Sequence, residues 1–210
     1  MNVALIAGAT TGGALTGWLA ARNLATLRYR RPHERGLPAP TWHRWLPALT
    51  GAGAALVATT DSWERLLLAA PLLAVGAWLA AVDADVQRLP FKDVVTLGLL
   101  ETVTVAIVAT ATHDPGAALI GLAGATVAYL TFRLLHRVAR GKLGYGDVTL
   151  TVPLALATTT AGGPALGWLW ITISLVAASL YALTNRTNPQ QNRPLGPWLI
   201  LGAVVSLALG

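Results

Sequence analysis

Two short stretches place carboxylates in a chain that has few of them: VDADVQRLPFKD, starting at Val82, and GYGD at Gly144–Asp147. Only nine acidic residues occur among 210, so each can be weighed. Two aspartates brought close together cannot both ionise readily; one keeps a proton while the other stays a base. Such a pair can activate a water against a peptide carbonyl and protonate the leaving amine, with no metal and no covalent intermediate. Gly144 and Gly146 lack a Cβ, so an extended substrate could lie close beside that loop. Taken singly, each aspartate has a plainer reading. Asp147 before a helix caps free amides and suits the dipole, and Asp83 is an interfacial acid with Arg88 nearby.

Rival chemistries are poorly supplied. There is no cysteine, which removes thiolate metal sites, disulfides and cysteine nucleophiles. His33, His43, His113 and His136 are not at ligand spacing, so neither a metal nor another cofactor is expected. Glu34, Asp61, Glu64 and Asp114 read as solvated loop residues. Glu101 lies about two turns into an apolar segment, where an acid is costly and often functional, or else bonded to a neighbouring helix.

The elements that must position these groups are apolar helices. The chain is 54% hydrophobic and 11% charged, with mean hydropathy +0.58, against roughly a quarter charged in soluble domains. Apolar runs recur at about the 20 residues of a bilayer crossing. The expected fold is all-α: a polytopic integral membrane protein of about eight transmembrane helices, forming one domain over residues 1–210. The expected spans are Val3–Ala21, Trp45–Thr60, Leu66–Val82, Val94–Thr112, Ala117–Leu135, Val148–Thr160, Pro164–Leu183 and Leu195–Leu209. Residues 148–183 are too long for one crossing, and AGGP at Ala161–Pro164 is the expected turn. The N-terminal segment has no basic region ahead of its apolar stretch, so it reads as a first span and not as a cleaved signal.

Fourteen of the fifteen basic residues fall in alternate gaps, including the short basic loop 22–44. By the positive-inside rule that side is cytoplasmic and both termini face outward. A basic residue set gathered at span ends speaks for the lipid bilayer as partner, and against nucleic acid. Asp83 and Asp85 then end the third span and Asp147 opens the sixth, all at the cytoplasmic boundary. Distant carboxylates can meet there.

GYGD resembles the GxGD motif of intramembrane-type aspartyl proteases. DADVQRLP at Asp83–Pro90 resembles the first catalytic segment of the type IV prepilin peptidases, an Asp followed seven residues later by Pro. PLGPWLILGA at Pro194–Ala203 is similar to the Pro-x-Gly-Pro opening of their last span. The three occur in the family's order, and the similarity covers roughly Leu66 to the C-terminus. The resemblance implies Asp83 and Asp147 as catalytic dyad, Gly144 and Gly146 as loop glycines beside the substrate, and Asp85 as an accessory substrate-side residue. It implies cleavage of prepilin or pseudopilin precursors at the cytoplasmic membrane face, just before a hydrophobic segment, after a short basic leader ending in Gly.

Departures accompany the likeness. The longer members carry a cysteine-paired cytoplasmic insert and methylate the new N-terminus; here the loop is only Arg22–Arg44, so peptidase activity alone is expected. Thr149 stands where members have Lys, and Phe91 where Asn or Asp follows the Pro. These departures leave open an assembly factor that keeps the fold. PAL at Pro164–Leu166 brings the presenilin type to mind, but it falls on the face opposite Asp147, and Val82 stands where that type has an aromatic. An ion-coupled transporter would rest on Glu101, since transport sites lie near the midplane.

Overall fold

The computed structural model describes residues 2–140, 143–184 and 194–210; Lys142, Arg186 and Arg193 of the basic set lie outside the described residues. Every regular element among the described residues is helical. Helix α1 spans Val3–Ala25, opened by Asn2, whose side chain accepts the Ala4 and Leu5 N–H groups. A loop with two short 3₁₀ turns, Pro32–Glu34 and Trp42–Trp45, leads to α2, Leu46–Ala58.

The third segment runs from α3 (Trp63–Pro71) through a π-helical turn at Leu72–Gly76 into α4 (Ala77–Val86). Pro71 offers no N–H to the preceding turn and breaks the regular ladder, and the wider turn follows directly. Helix α5 covers Phe91–Ala111 and α6 Pro115–Val138, the latter capped by Asp114. Helix α7, Tyr145–Thr184, is interrupted at Gly162 and Gly163, and α8 is Gly196–Leu209.

Five of these segments are long and apolar enough to cross a membrane: Val3–Ala25, Trp63–Val86, Phe91–Ala111, Pro115–Val138 and Tyr145–Thr184. The expected turn at Ala161–Pro164 coincides with the break in α7. Gly163 has φ +67 and ψ −163, a region essentially restricted to glycine. Eight residues of straight helix would separate Thr159 from Gly167 by about 12 Å. Instead a Cβ built on Gly167 would stand 2.6 Å from Thr159 Cγ2, so the chain doubles back at the glycine pair.

The core is a layer of leucines shared by α3, α4, α5, α7 and α8, among them Leu68, Leu79, Leu97, Leu150, Leu154 and Leu199, all fully buried, with Trp170 donating its indole N–H to the Leu199 carbonyl at 2.8 Å. Large apolar side chains such as Leu99, Val103, Leu119, Leu130 and Val176 point outward, the arrangement for which lipid is the matching solvent. A second cluster, Leu24, Leu46, Ala81 and Val82, lies under Tyr29 and Trp42 and joins the first loop to the end of α4.

Helices α1 and α2 pack backbone to backbone. A Cβ on Gly17 would meet the Leu46 carbonyl oxygen at 2.5 Å and also the Thr50 hydroxyl. Because a backbone atom cannot swing aside, Gly17→Ala is expected to destabilise the fold by about 1–3 kcal/mol. Thermal unfolding in detergent checks this, with Gly12→Ala, whose Cβ would meet nothing within 4 Å, as the silent comparison.

Candidate active site

Asp83 sits in the last turn of α4, three residues before its end. The helix closes on Gln87, whose backbone is left-handed at φ 51 and whose N–H donates to the Asp83 carbonyl at 2.9 Å. The Asp83 side chain is buried, 5% exposed, and its Oδ2 accepts the backbone N–H of Gly196 at 3.0 Å. Gly196 is the first residue of α8. A Cβ there would stand 2.8 Å from the same carboxylate oxygen, so only glycine allows this approach.

Asp147 is in the first turn of α7. Its backbone N–H donates to the Gly144 carbonyl at 3.1 Å, and its carboxyl lies over Gly144, where a Cβ would come 3.0 Å from Oδ2. Asp83 and Asp147 thus stand at the ends of separate helices. The segments that follow and precede them touch: a Cβ on Gly146 would lie 3.0 Å from Leu89 Cβ. Three stretches far apart in the chain, around Asp83, Asp147 and Gly196, therefore meet at one end of the bundle.

The two loop glycines differ. Gly144 is exposed and Gly146 half-buried against Leu89, so the open approach for a chain is at Gly144. The GYGD loop is tied to the end of α6. A carbonyl can only accept, so His136 carries its proton on Nδ1 and donates to the Leu143 carbonyl at 2.6 Å. The His136 ring also meets Tyr145 edge-on, centroids 5.8 Å apart. The Thr149 hydroxyl turns back onto the Gly146 carbonyl at 2.9 Å, and Phe91 opens α5 with 66% of its surface exposed.

Asp85 is engaged elsewhere. Arg30 donates through Nε to Asp85 Oδ2 and through Nη2 to Oδ1, both at 2.7 Å, and the Tyr29 hydroxyl donates to Oδ2. Both carboxylate oxygens of Asp85 are thus taken up within the protein. Glu34, expected as a solvated loop acid, is 9% exposed and accepts Arg88 Nη2 at 3.1 Å. Burial pushes the Glu34 carboxyl up, but the Arg88 hydrogen bond and the Arg31 N–H outweigh it and hold it below the usual range. The Asp85 hydrogen bond draws the Arg30 guanidinium further up.

Burial, and then the Asp85 carboxylate, push the Tyr29 phenol from 10.0 up to about 12. Since its folded-state value is raised, the stability it contributes is complete below pH 10 and is lost as pH climbs from 10 to about 12. Ultraviolet titration of the folded protein is expected to show a phenol ionising near the top of that window, and Tyr29→Phe to delete that step. A Tyr29→Phe curve that loses only a step near 10 would contradict it.

Glu101 is fully buried in the middle of α5, about 15 Å of helix from Phe91. Its Oε2 accepts the Thr104 hydroxyl at 3.2 Å and its Oε1 has no partner among the described residues. Pro164 follows the break in α7, about 24 Å of helix from Tyr145, at the end opposite Asp147.

Gly196 is the site residue that reading by motif did not single out, although the Pro-x-Gly-Pro stretch contained it. Its signal was there: a glycine at a helix start, between two prolines, where nothing but close approach requires one. Comparison with family models, with curated proteins and with solved structures finds no match.

Proposed function

We propose that this protein is a membrane aspartyl endopeptidase that removes the leader from type IV pilin-like precursors at the cytoplasmic membrane face. The observation that carries the reading is the convergence of the Asp83, Asp147 and Gly196 segments at one end of the bundle, with the Gly196 N–H on the Asp83 carboxylate and the exposed Gly144 beside that of Asp147. One carboxylate takes a proton from water as its oxygen adds to the scissile carbonyl, and the protonated partner hydrogen-bonds the carbonyl oxygen. The C–N bond then breaks as the amine takes the proton that the first carboxylate drew from water, which leaves that carboxylate ionised and its partner protonated for another turn. Gly144 gives the backbone of an extended substrate room to reach the pair.

The chain crosses the bilayer eight times in this reading. The α7 halves on either side of Gly162–Gly163 count separately, and the shorter α2 and α8 complete the bundle. Arg22–Arg44 and the Asp83 and Asp147 helix ends face the cytoplasm, by the positive-inside rule. The short first loop holds no methyltransferase, so peptidase activity stands alone. Co-expression with a prepilin of short basic leader is the test: the precursor shifts on a gel by the mass of its leader. An unshifted precursor across several prepilins and pseudopilins argues for the assembly-factor alternative.

One observation favours a second reading, an ion-coupled transporter: the Oε1 of Glu101, at mid-membrane depth, has no partner among the described residues. Full leader cleavage by Glu101→Gln takes that residue out of the peptidase mechanism. Proton uptake into vesicles that vanishes in the same variant would support transport.

A further inference from the structure

The loop between α1 and α2 reads in sequence as a basic flank, yet it is fastened to the helix end that carries Asp83. The Arg30 side chain is 0% exposed. Besides its fork onto Asp85, it donates through Nη1 to the Leu37 carbonyl at 2.7 Å and through Nη2 to the Pro38 carbonyl at 2.9 Å. One guanidinium therefore holds the returning strand of the loop and the last turn of α4 together. A second attachment follows three residues on: Arg88 donates to Glu34 and, through Nη2, to the Tyr29 carbonyl at 3.2 Å.

Between those two attachments stands Gln87 in its left-handed conformation. The same left-handed conformation follows α1, α2, α5 and α6 at Leu27, Asp61, His113 and Arg140, an ordinary way to end a helix; at Gln87 it falls between the two attachments. Gln87 N–H is the group that bonds the Asp83 carbonyl, so the backbone of Asp83 inherits whatever fixes this turn. Asp83 and Asp85 are two positions apart on a helix, so they project from nearly opposite faces. Asp83 reaches Gly196 while Asp85 reaches the loop.

We propose that the first cytoplasmic loop is a two-point positioning clamp, Arg30 on Asp85 and Glu34 on Arg88, that aims the Asp83 carboxylate at Asp147. The inference rests on the peptidase reading above. Arg30 is a positioning residue, and its fork is the reason an arginine is needed. Four acceptor atoms from two segments converge on one planar group, which a lysine ammonium cannot reproduce. The clamp also gives Asp85 a role other than substrate contact.

Wild type, Asp83→Asn, Arg30→Lys, Asp85→Asn and Glu34→Gln, purified and reconstituted, are compared in two measurements. The first is cleavage of a prepilin peptide that carries a basic leader and its hydrophobic segment. With misplacement of a reacting group costing on the order of 10²-fold, Arg30→Lys and Asp85→Asn are expected to lose roughly 10- to 100-fold in kcat with KM unchanged. The second is hydrogen–deuterium exchange. The amide of Gln87, which bonds the Asp83 carbonyl, loses protection in the clamp variants, while those of Leu97–Val108 keep theirs.

If wild type cleaves, Asp83→Asn does not, and Asp85→Asn cleaves at the wild-type rate, the clamp is overturned and the peptidase reading stands. If wild type cleaves no precursor, the peptidase reading falls and exchange decides the clamp; unchanged protection at Gln87 overturns it. Protection lost equally in every helix also overturns it, because the network would then be general scaffolding.

Discussion

Asp83→Asn and Asp147→Asn are each expected to abolish leader cleavage while the protein stays folded in the membrane. The amide is nearly isosteric with the carboxyl, and in Asp83→Asn its oxygen can still accept the Gly196 N–H that Asp83 Oδ2 accepts. What disappears is the ability to take or return a proton. General acid–base help is worth roughly 10²–10⁴-fold per positioned group, and this pair must supply both halves. A drop of about 10³-fold or more in kcat is therefore expected from either change, with thermal unfolding close to wild type. Either variant processing a precursor at more than a few per cent of the wild-type rate would remove that aspartate from the reaction.

Gly196→Ala is the second large effect, and it acts without touching either carboxyl. The substitution keeps the backbone N–H but adds a methyl 2.8 Å from Asp83 Oδ2 and 3.3 Å from its Cγ. Contacts under 3 Å are not tolerated, so the carboxyl must rotate away and the 3.0 Å hydrogen bond lengthens. A displacement of about 1 Å at a reacting group costs up to about 10²-fold; a loss of roughly 10- to 100-fold in kcat is expected, with substrate binding little altered. Gly98→Ala, whose Cβ would meet nothing within 4 Å, is the comparison for an unspecific effect of an added methyl. Equal rates for Gly196→Ala and wild type would show that the Asp83–Gly196 contact has no part in catalysis.

Much of this arrangement was legible because the signals are local. Apolar runs mark helices, and AGGP marks a break because glycine reaches backbone conformations closed to other residues; the chain doubles back at Gly162–Gly163. Asp83 and Asp147 stood out because few other carboxylates compete with them at span ends. The segments that carry them come together at one end of the bundle. Asp83 lies in the last turn of α4, and the helix continues past the expected Val82 boundary to Val86, where the left-handed Gln87 ends it.

What was not legible depends on pairing between remote residues. Six arginines lie between residues 22 and 44, and composition cannot say which of them is buried. Only packing over the Leu24, Leu46 and Val82 cluster brings Arg30 within reach of Asp85. Glu34 looked solvated because a loop acid ordinarily is; Arg88, 54 positions away, makes it a buried partner. Gly196 stood in plain view as a glycine at a helix start, but that its N–H meets Asp83, 113 positions away, could not be read. The depth of Glu101 in its helix could be read, but not that Oε1 lacks a partner among the described residues.

The most direct measurement is mass spectrometry of the products when purified wild type, in liposomes, meets a prepilin peptide of basic leader and hydrophobic segment. The account predicts two fragments, divided just ahead of the hydrophobic segment, and intact peptide with Asp83→Asn and with Asp147→Asn. Intact peptide with wild type, or the same two fragments with either variant, would contradict it.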